Sequence, residues 1–321
     1  MINGELIDLV AGDYEARIAT SGATLVHLRR AGSDLVIPFD AEVSLPEGWQ
    51  GKTLVPWPNR IVGARYAYRG QEYPVPCNEP ETGSALHGLV GWADFQVVAT
   101  SAGDDAVGDA PSSVALELTL PGSYAYPWSL QVDVRFALDA RAGLTVAATT
   151  TCLGAGAPAA PDAVGAPESD GLLAPAPYGV SFHPYLTRSV PLDECVLQVP
   201  AARVLDVDER MAPAAERDVA GTDCDWRAGR PVGTISTDNA YTGLPQGPWE
   251  VRLTGGEAGS TVVLSAEAPW VQVYTAEHLG RRGVAVEPMT CPPDAFNSGR
   301  DLVELEVGRS HSFSYSLRED D

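Results

Sequence analysis

The sequence predicts an all-β fold, a large antiparallel β-sandwich, on three observations. Short apolar–polar runs of period two recur along the chain. The 32 glycines and 26 prolines of its 321 residues interrupt it every few positions. No run of ten or more residues keeps a helical period, so helix is confined to short pieces, such as one near Pro293–Asn297.

The elements follow in order. Tyr14–Ala19, then Ser21-Gly22, then Thr24–Leu28 read as strand, turn, strand. Tyr66 to Val75 reads as a hairpin turning at Arg69-Gly70. Ser113–Leu120, Leu130–Leu138 and Leu144–Thr150 alternate, as do Val251–Leu253, Thr261–Ala266, Val271–Thr275 and Ser312–Leu317. Many short strands with turns between them are the pattern of a sandwich. One segment, at about residues 154–177, is built of Ala, Pro and Gly with a few acids. It has little to bury and is expected to be a mobile insertion within a single domain spanning residues 1–321.

The bulk numbers restrict the partners. A formal charge of −22, from 21 basic and 43 acidic residues, repels phosphate backbones and anionic lipid, so neither nucleic acid nor membrane is an expected partner. The five cysteines, Cys77, Cys152, Cys195, Cys224 and Cys291, form no CxxC pair, which argues against a zinc or redox motif and fits thiols in a reducing compartment. The first ten residues show no basic-then-apolar leader, and no 18-residue apolar run occurs. A soluble, cytoplasmic monomer or homodimer is the expectation.

Two of the five histidines stand in unusual company. His87 precedes Gly88 and is followed by Trp92. His183 sits in Tyr178-Gly179-Val180-Ser181-Phe182-His183-Pro184-Tyr185, among aromatic rings that suit the apolar face of a sugar. His27 and His311 read as strand residues and His278 as a loop residue. Glu287 ends the apolar run Val284-Ala285-Val286, where an ionised carboxylate is costly unless it is paired or functional. Pro56-Trp57-Pro58-Asn59-Arg60 sets an amide beside a guanidinium, and Asp238 lies in what reads as a turn. Taken singly, each residue has an ordinary structural explanation.

Taken in order, Asn59-Arg60-Ile61, Leu86-His87-Gly88, His183-Pro184-Tyr185, Asp238 with Tyr241, Trp270 to Thr275 with Gln272, and Glu287-Pro288 resemble the aldose 1-epimerase (galactose mutarotase) family. The resemblance covers nearly the whole chain. It implies the supersandwich of the galactose mutarotase type and interconversion of the α and β anomers of a free aldose such as glucose or galactose, with no cofactor and no metal. It implies Glu287 as the base on the C1 hydroxyl, His183 as the acid on the ring oxygen and His87 as a supporting donor. Asn59, Arg60, Asp238 and Gln272 would hold the remaining hydroxyls. The chemistry agrees, because ring opening takes a proton from one oxygen and gives one to another. The alternatives are a hexose-6-phosphate 1-epimerase, for which Arg188, Arg203, Arg281 and Arg282 are candidate phosphate ligands, and a non-catalytic carbohydrate-binding protein on the same scaffold.

Overall fold

A computed structural model describes residues 2–103, 110–155, 174–255 and 259–320. Its two largest sheets are antiparallel. A nine-stranded sheet runs, in spatial order, Gln96–Ser101, Ser113–Leu120, Trp128–Asp139, Gly143–Ala155, Ser310–Asp320, Thr261–Ala266, Trp249–Thr254, Val196–Gln198 and Arg230–Pro231. An eight-stranded sheet contains Pro213–Asp218, Arg203–Val207, Asp238–Thr242, Trp270–Tyr274, Val284–Met289, Ser181–Phe182 and Thr53–Leu54, with Tyr185–Leu186 also paired to Val284–Met289. A four-stranded sheet, Leu6 to Asp34, and short two-stranded ladders complete it. The predicted hairpins and alternating runs are present, and the helix near Pro293–Asn297 is the single turn Ala295–Ser298.

Alternation along the eight-stranded sheet decides where the chemistry sits. Tyr241, Val271, Val273, Val284 and Val286 face the common core, where they join Val132, Val134, Val251, Leu264 and Leu317 of the larger sheet. Their sequence neighbours must therefore face the other side. Register pairs Gln272 with Glu287 and Ala240 with Gln272, so those side chains share one face.

Two local readings need correction. Asp238 opens the strand Asp238–Thr242, paired on both sides, instead of lying in a turn. Its Asp-Asn pair has turn chemistry, and the neighbouring strands override it. Glu287 lies inside Val284–Met289 and does not end it. Pro288 hides that continuation, having no N–H for a ladder. It falls between the bonds that Val286 N–H and Thr290 N–H donate to the Pro184 and Val180 carbonyls, where the facing segment runs through His183.

The ends of the Ala/Pro-rich segment are also ordered. Gly154 and Ala155 finish a strand, Ala176–Tyr178 pairs with Val303–Leu305, and the Trp128 indole donates to the Ala174 carbonyl at 2.9 Å. Backbone pairing needs no large side chain, which is why composition alone misjudged these ends. Residues 156–173, the middle of the expected insertion, lie outside the described residues.

Candidate active site

His183, His87 and Glu287 meet although they come from three distant parts of the chain. His183 Nε2 lies 3.3 Å from Glu287 Oε1. The rings of His87 and His183 are 5.1 Å apart, edge to face. All three residues are buried, Glu287 at 2 % exposure and each histidine at 4 %.

Backbone bonds tie His183 to the segment Gly51-Lys52. Its N–H donates to the Lys52 carbonyl at 3.0 Å, and its carbonyl accepts from Gly51 N–H at 2.9 Å. Tyr185 stacks on its ring, and the Tyr185 hydroxyl donates to the Gly48 carbonyl at 2.6 Å. His87 occupies the left-handed region with φ of 63°. Gly88 follows at φ 74°, and a Cβ there would lie 2.2 Å from the Val55 carbonyl oxygen. The close approach that this glycine permits is thus to backbone.

Asn59 and His87 fix each other. His87 N–H donates to the Asn59 carbonyl at 2.8 Å, and Asn59 N–H donates to His87 Nδ1 at 3.2 Å. Burial, then His183 and Arg60, drives the His87 pKa well below its ordinary value, so the ring is neutral. With Nδ1 accepting, the proton resides on Nε2, and His87 presents an N–H donor.

Arg60 is clamped by a residue that the sequence did not flag. Its Nε and Nη2 donate to Glu79 Oε2 and Oε1, both at 2.7 Å. Thr82 donates to the same carboxylate. Asn59 Oδ1 accepts from Arg60 N–H at 2.9 Å. On the facing strands, Gln272 Nε2 donates to Asp238 Oδ1 at 2.6 Å. Within the site, three buried side-chain atoms have no hydrogen-bond partner among the described residues: His183 Nδ1, Gln272 Oε1 and Glu287 Oε2. Buried polar atoms are rarely left unpaired, and two of these three are acceptors suited to hydroxyl groups.

The electrostatics follow from burial. Glu287 is pushed well above the carboxylate range by desolvation and then by Asp238, against a smaller pull from Arg60. Asp238 is raised by desolvation, against Arg60 and Gln272. His183 is lowered to about 3, chiefly by burial.

Ligand atoms of His87, His183 and Glu287 lie within 4.8 Å of one another, close enough to consider an ion. In the tautomer that Asn59 imposes, His87 offers a proton and not a lone pair into this space, which suits hydroxyls better than a cation.

All seven predicted site residues therefore occupy one region. Tyr241, part of the motif that includes Asp238, does not join them. It faces the core, where its hydroxyl meets the Trp226 indole and Thr237. Trp49, Glu79 and His278 were missed. Trp49 packs on His87 at 5.1 Å, and His278 stacks on Tyr274 behind Tyr185. The candidate phosphate ligands do not assemble. Arg188 pairs with Glu319, Arg203 with Glu216, and Arg281 with Asp193 and Glu277, while Arg282 lines a cavity together with Asp40, Glu47 and His278.

No helix among the described residues is long and apolar enough to cross a membrane. The fold matches solved structures over nearly its whole length. A GalM/aldose epimerase homologue from C. elegans aligns with TM-score 0.79 at 21 % identity, covering 98 % of each chain. A galactose mutarotase-like protein from Clostridium acetobutylicum aligns at 0.80 and 15 %, covering 98 % of this chain and 94 % of that one. Galactose 1-epimerase from Lactobacillus acidophilus NCFM aligns at 0.77 and 16 %, covering 97 % and 92 %. In sequence, the uncharacterized protein YihR of Escherichia coli (strain K12) is 38 % identical over 316 residues, 98 % of this chain and 93 % of that protein. The aldose 1-epimerase family model matches residues 5–159 and 167–318. The chain belongs to the aldose 1-epimerase family and is an isomerase of the mutarotase type.

Proposed function

We propose that the protein interconverts the α and β anomers of a free aldose, with Glu287 and His183 as the proton-transfer pair. The observation that carries this reading is the 3.3 Å approach of His183 Nε2 to Glu287 Oε1 in a buried site that also holds unpartnered acceptors. The two oxygens that exchange protons in ring opening are both bonded to C1, so an acid and a base must stand side by side to reach them.

The pair shares one proton. Burial opposes a carboxylate standing beside a neutral imidazole, and it also opposes an imidazolium beside a protonated carboxyl, because each leaves a net charge in low dielectric. In the ligand-free protein the raised Glu287 and lowered His183 place that proton on Glu287. A sugar hydroxyl donating to Glu287 Oε2 stabilises the carboxylate and moves the proton to His183. Glu287 then takes the C1–OH proton while His183 gives its own to the ring oxygen, opening the ring. Rotation about C1–C2 and the reverse transfers close the other anomer. His87 Nε2–H donates to a neighbouring oxygen, and Asn59, Arg60, Asp238 and Gln272 hold the remaining hydroxyls.

A single domain spanning residues 1–321, and a free sugar in preference to a phosphorylated one, belong to the same proposal. The latter rests on Arg188, Arg203 and Arg281 being paired with carboxylates and on Arg282 sharing its cavity with Asp40 and Glu47, which oppose a phosphate. Polarimetry of freshly dissolved α-D-glucose and α-D-galactose, with glucose 6-phosphate alongside, tests it. Fast decay of the free-sugar transients is expected, and no acceleration with any common aldose overturns the proposal.

The pH dependence follows from the one-proton pair. Rate falls on the acid side only when the pair accepts a second proton, near the His183 pKa of about 3. It falls on the alkaline side when the pair loses its only proton, well above the carboxylate range. A kcat/KM profile with its acid limb near pH 3 and its alkaline limb well above the carboxylate range is expected. An acid limb at 6.5, the ordinary histidine value, contradicts the shared proton.

A further inference from the structure

We infer that Trp49 is a substrate-contacting, specificity-determining residue whose indole takes the C–H face of the sugar ring. Four observations converge on it. First, Trp49 adopts φ of 62°, a conformation that a bulky side chain avoids, beside Gly48 at 55° and before Gly51 at 69°. Strain of this kind is kept where surrounding structure enforces it, and it concentrates at ligand sites. Second, Gly91 makes room for its ring. A Cβ on Gly91 would lie 2.6 Å from Trp49 Cζ3.

Third, the loop is anchored to the proposed acid. Gly51 N–H donates to the His183 carbonyl at 2.9 Å, and Lys52 N–H donates to the Trp49 carbonyl at 3.1 Å. Fourth, Trp49 stays partly exposed despite that construction. It meets His87 at 5.1 Å and Trp92 at 5.5 Å, and the buried Lys52 ammonium supports Trp92 from 4.2 Å. A tryptophan held in strain, fitted against Gly91 and still partly exposed is not serving the core. Beside the donor His87, what it offers is an apolar face. A pyranose has hydroxyls for Asp238, Gln272 and Arg60 at its rim and axial C–H groups on its face, and only the latter need an aromatic surface.

This inference rests on the site holding a sugar, and its binding test does not require turnover. The probes are D-glucose, D-galactose and their 1,5-anhydro forms, which lack the anomeric hydroxyl and cannot mutarotate. Titration of the wild-type protein with each probe is expected to change tryptophan emission, and the Trp49→Phe difference spectrum assigns that change to residue 49. Trp49→Leu, which is apolar but has no aromatic face, is expected to raise both the dissociation constant and KM about tenfold, the equivalent of one stacked ring, with kcat within a few-fold. Trp49→Phe, which keeps a face, recovers most of the affinity. Lowered kcat at unchanged KM in Trp49→Leu would mean that Trp49 only excludes water and would overturn the assignment. So would Phe and Leu behaving alike, or a wild-type protein that binds none of the four probes. Binding of the anhydro sugars without mutarotase activity leaves Trp49 in place and removes the catalytic proposal instead.

Discussion

Replacing Glu287 by Gln is expected to lower kcat for anomer interconversion by about 10²–10⁴-fold, the usual contribution of a positioned acid–base group. The substitution keeps the shape of the side chain and removes only its ability to exchange a proton. The amide still accepts through its oxygen, so KM should move much less than kcat. Folding should survive, because burial opposes the charged form of Glu287 and an amide has none. Linkage gives the sign. The folded-state pKa is raised, so the stability that the carboxyl contributes is fully present at low pH and is lost as pH rises through the raised value. The amide of Glu287→Gln has nothing to titrate, and the denaturant midpoint of that variant should fall less with rising pH than that of the wild type. His183→Ala should cost a comparable factor in kcat. Full activity in Glu287→Gln, measured by polarimetry or exchange NMR, rules out Glu287 as the base.

The fold was legible because period-two alternation is a direct record of a sheet with one buried face. Val271, Gln272 and Val273 state in three letters which way each side chain points. Strands failed to show where that record is blurred. Asp238-Asn239 carries turn chemistry, and Pro288 breaks the hydrogen-bond ladder, although both sit in strands. The proposed site was legible as an ordered set of short motifs, since His87, His183 and Glu287 are brought together by the fold and not by proximity in the chain. Its supports were not. Glu79 lies in a polar turn with the composition of any surface loop, and only the fold carries it to Arg60. Trp49 followed a glycine in a Leu-Pro-Glu-Gly stretch that reads as a loop. The signals within reach were the clustered glycines, Gly48 and Gly51, around a lone tryptophan.

Glu79→Ala should destabilise the protein by roughly 3 kcal/mol, because it leaves a buried guanidinium without its carboxylate. The Arg60 and Glu79 side chains are 10 % and 18 % exposed, so water compensates little of the loss. The residual exposure of Glu79 puts the effect at the lower end of what breaking a buried pair costs. The consequence extends beyond stability. With Glu79 present, the bidentate pair holds the Arg60 fork in one orientation and offsets most of its charge. Without it, Arg60 gains an uncompensated charge and loses its clamp. The freed charge acts on Glu287, whose pKa Arg60 already pulls downward, and on Asp238 likewise. The alkaline limb of the pH–rate profile should therefore move toward lower pH. The lost clamp acts on the sugar hydroxyls, so KM should rise while kcat at neutral pH changes less. Glu79→Gln separates the two effects: the amide returns one hydrogen bond to Arg60 and no charge. It should recover part of the stability and of KM, and it should leave the alkaline limb displaced. Denaturant unfolding and a pH series on the two variants measure this. An unmoved alkaline limb in both would show that Arg60 does not set the proton affinity of Glu287, and its part in the site would then reduce to holding hydroxyls.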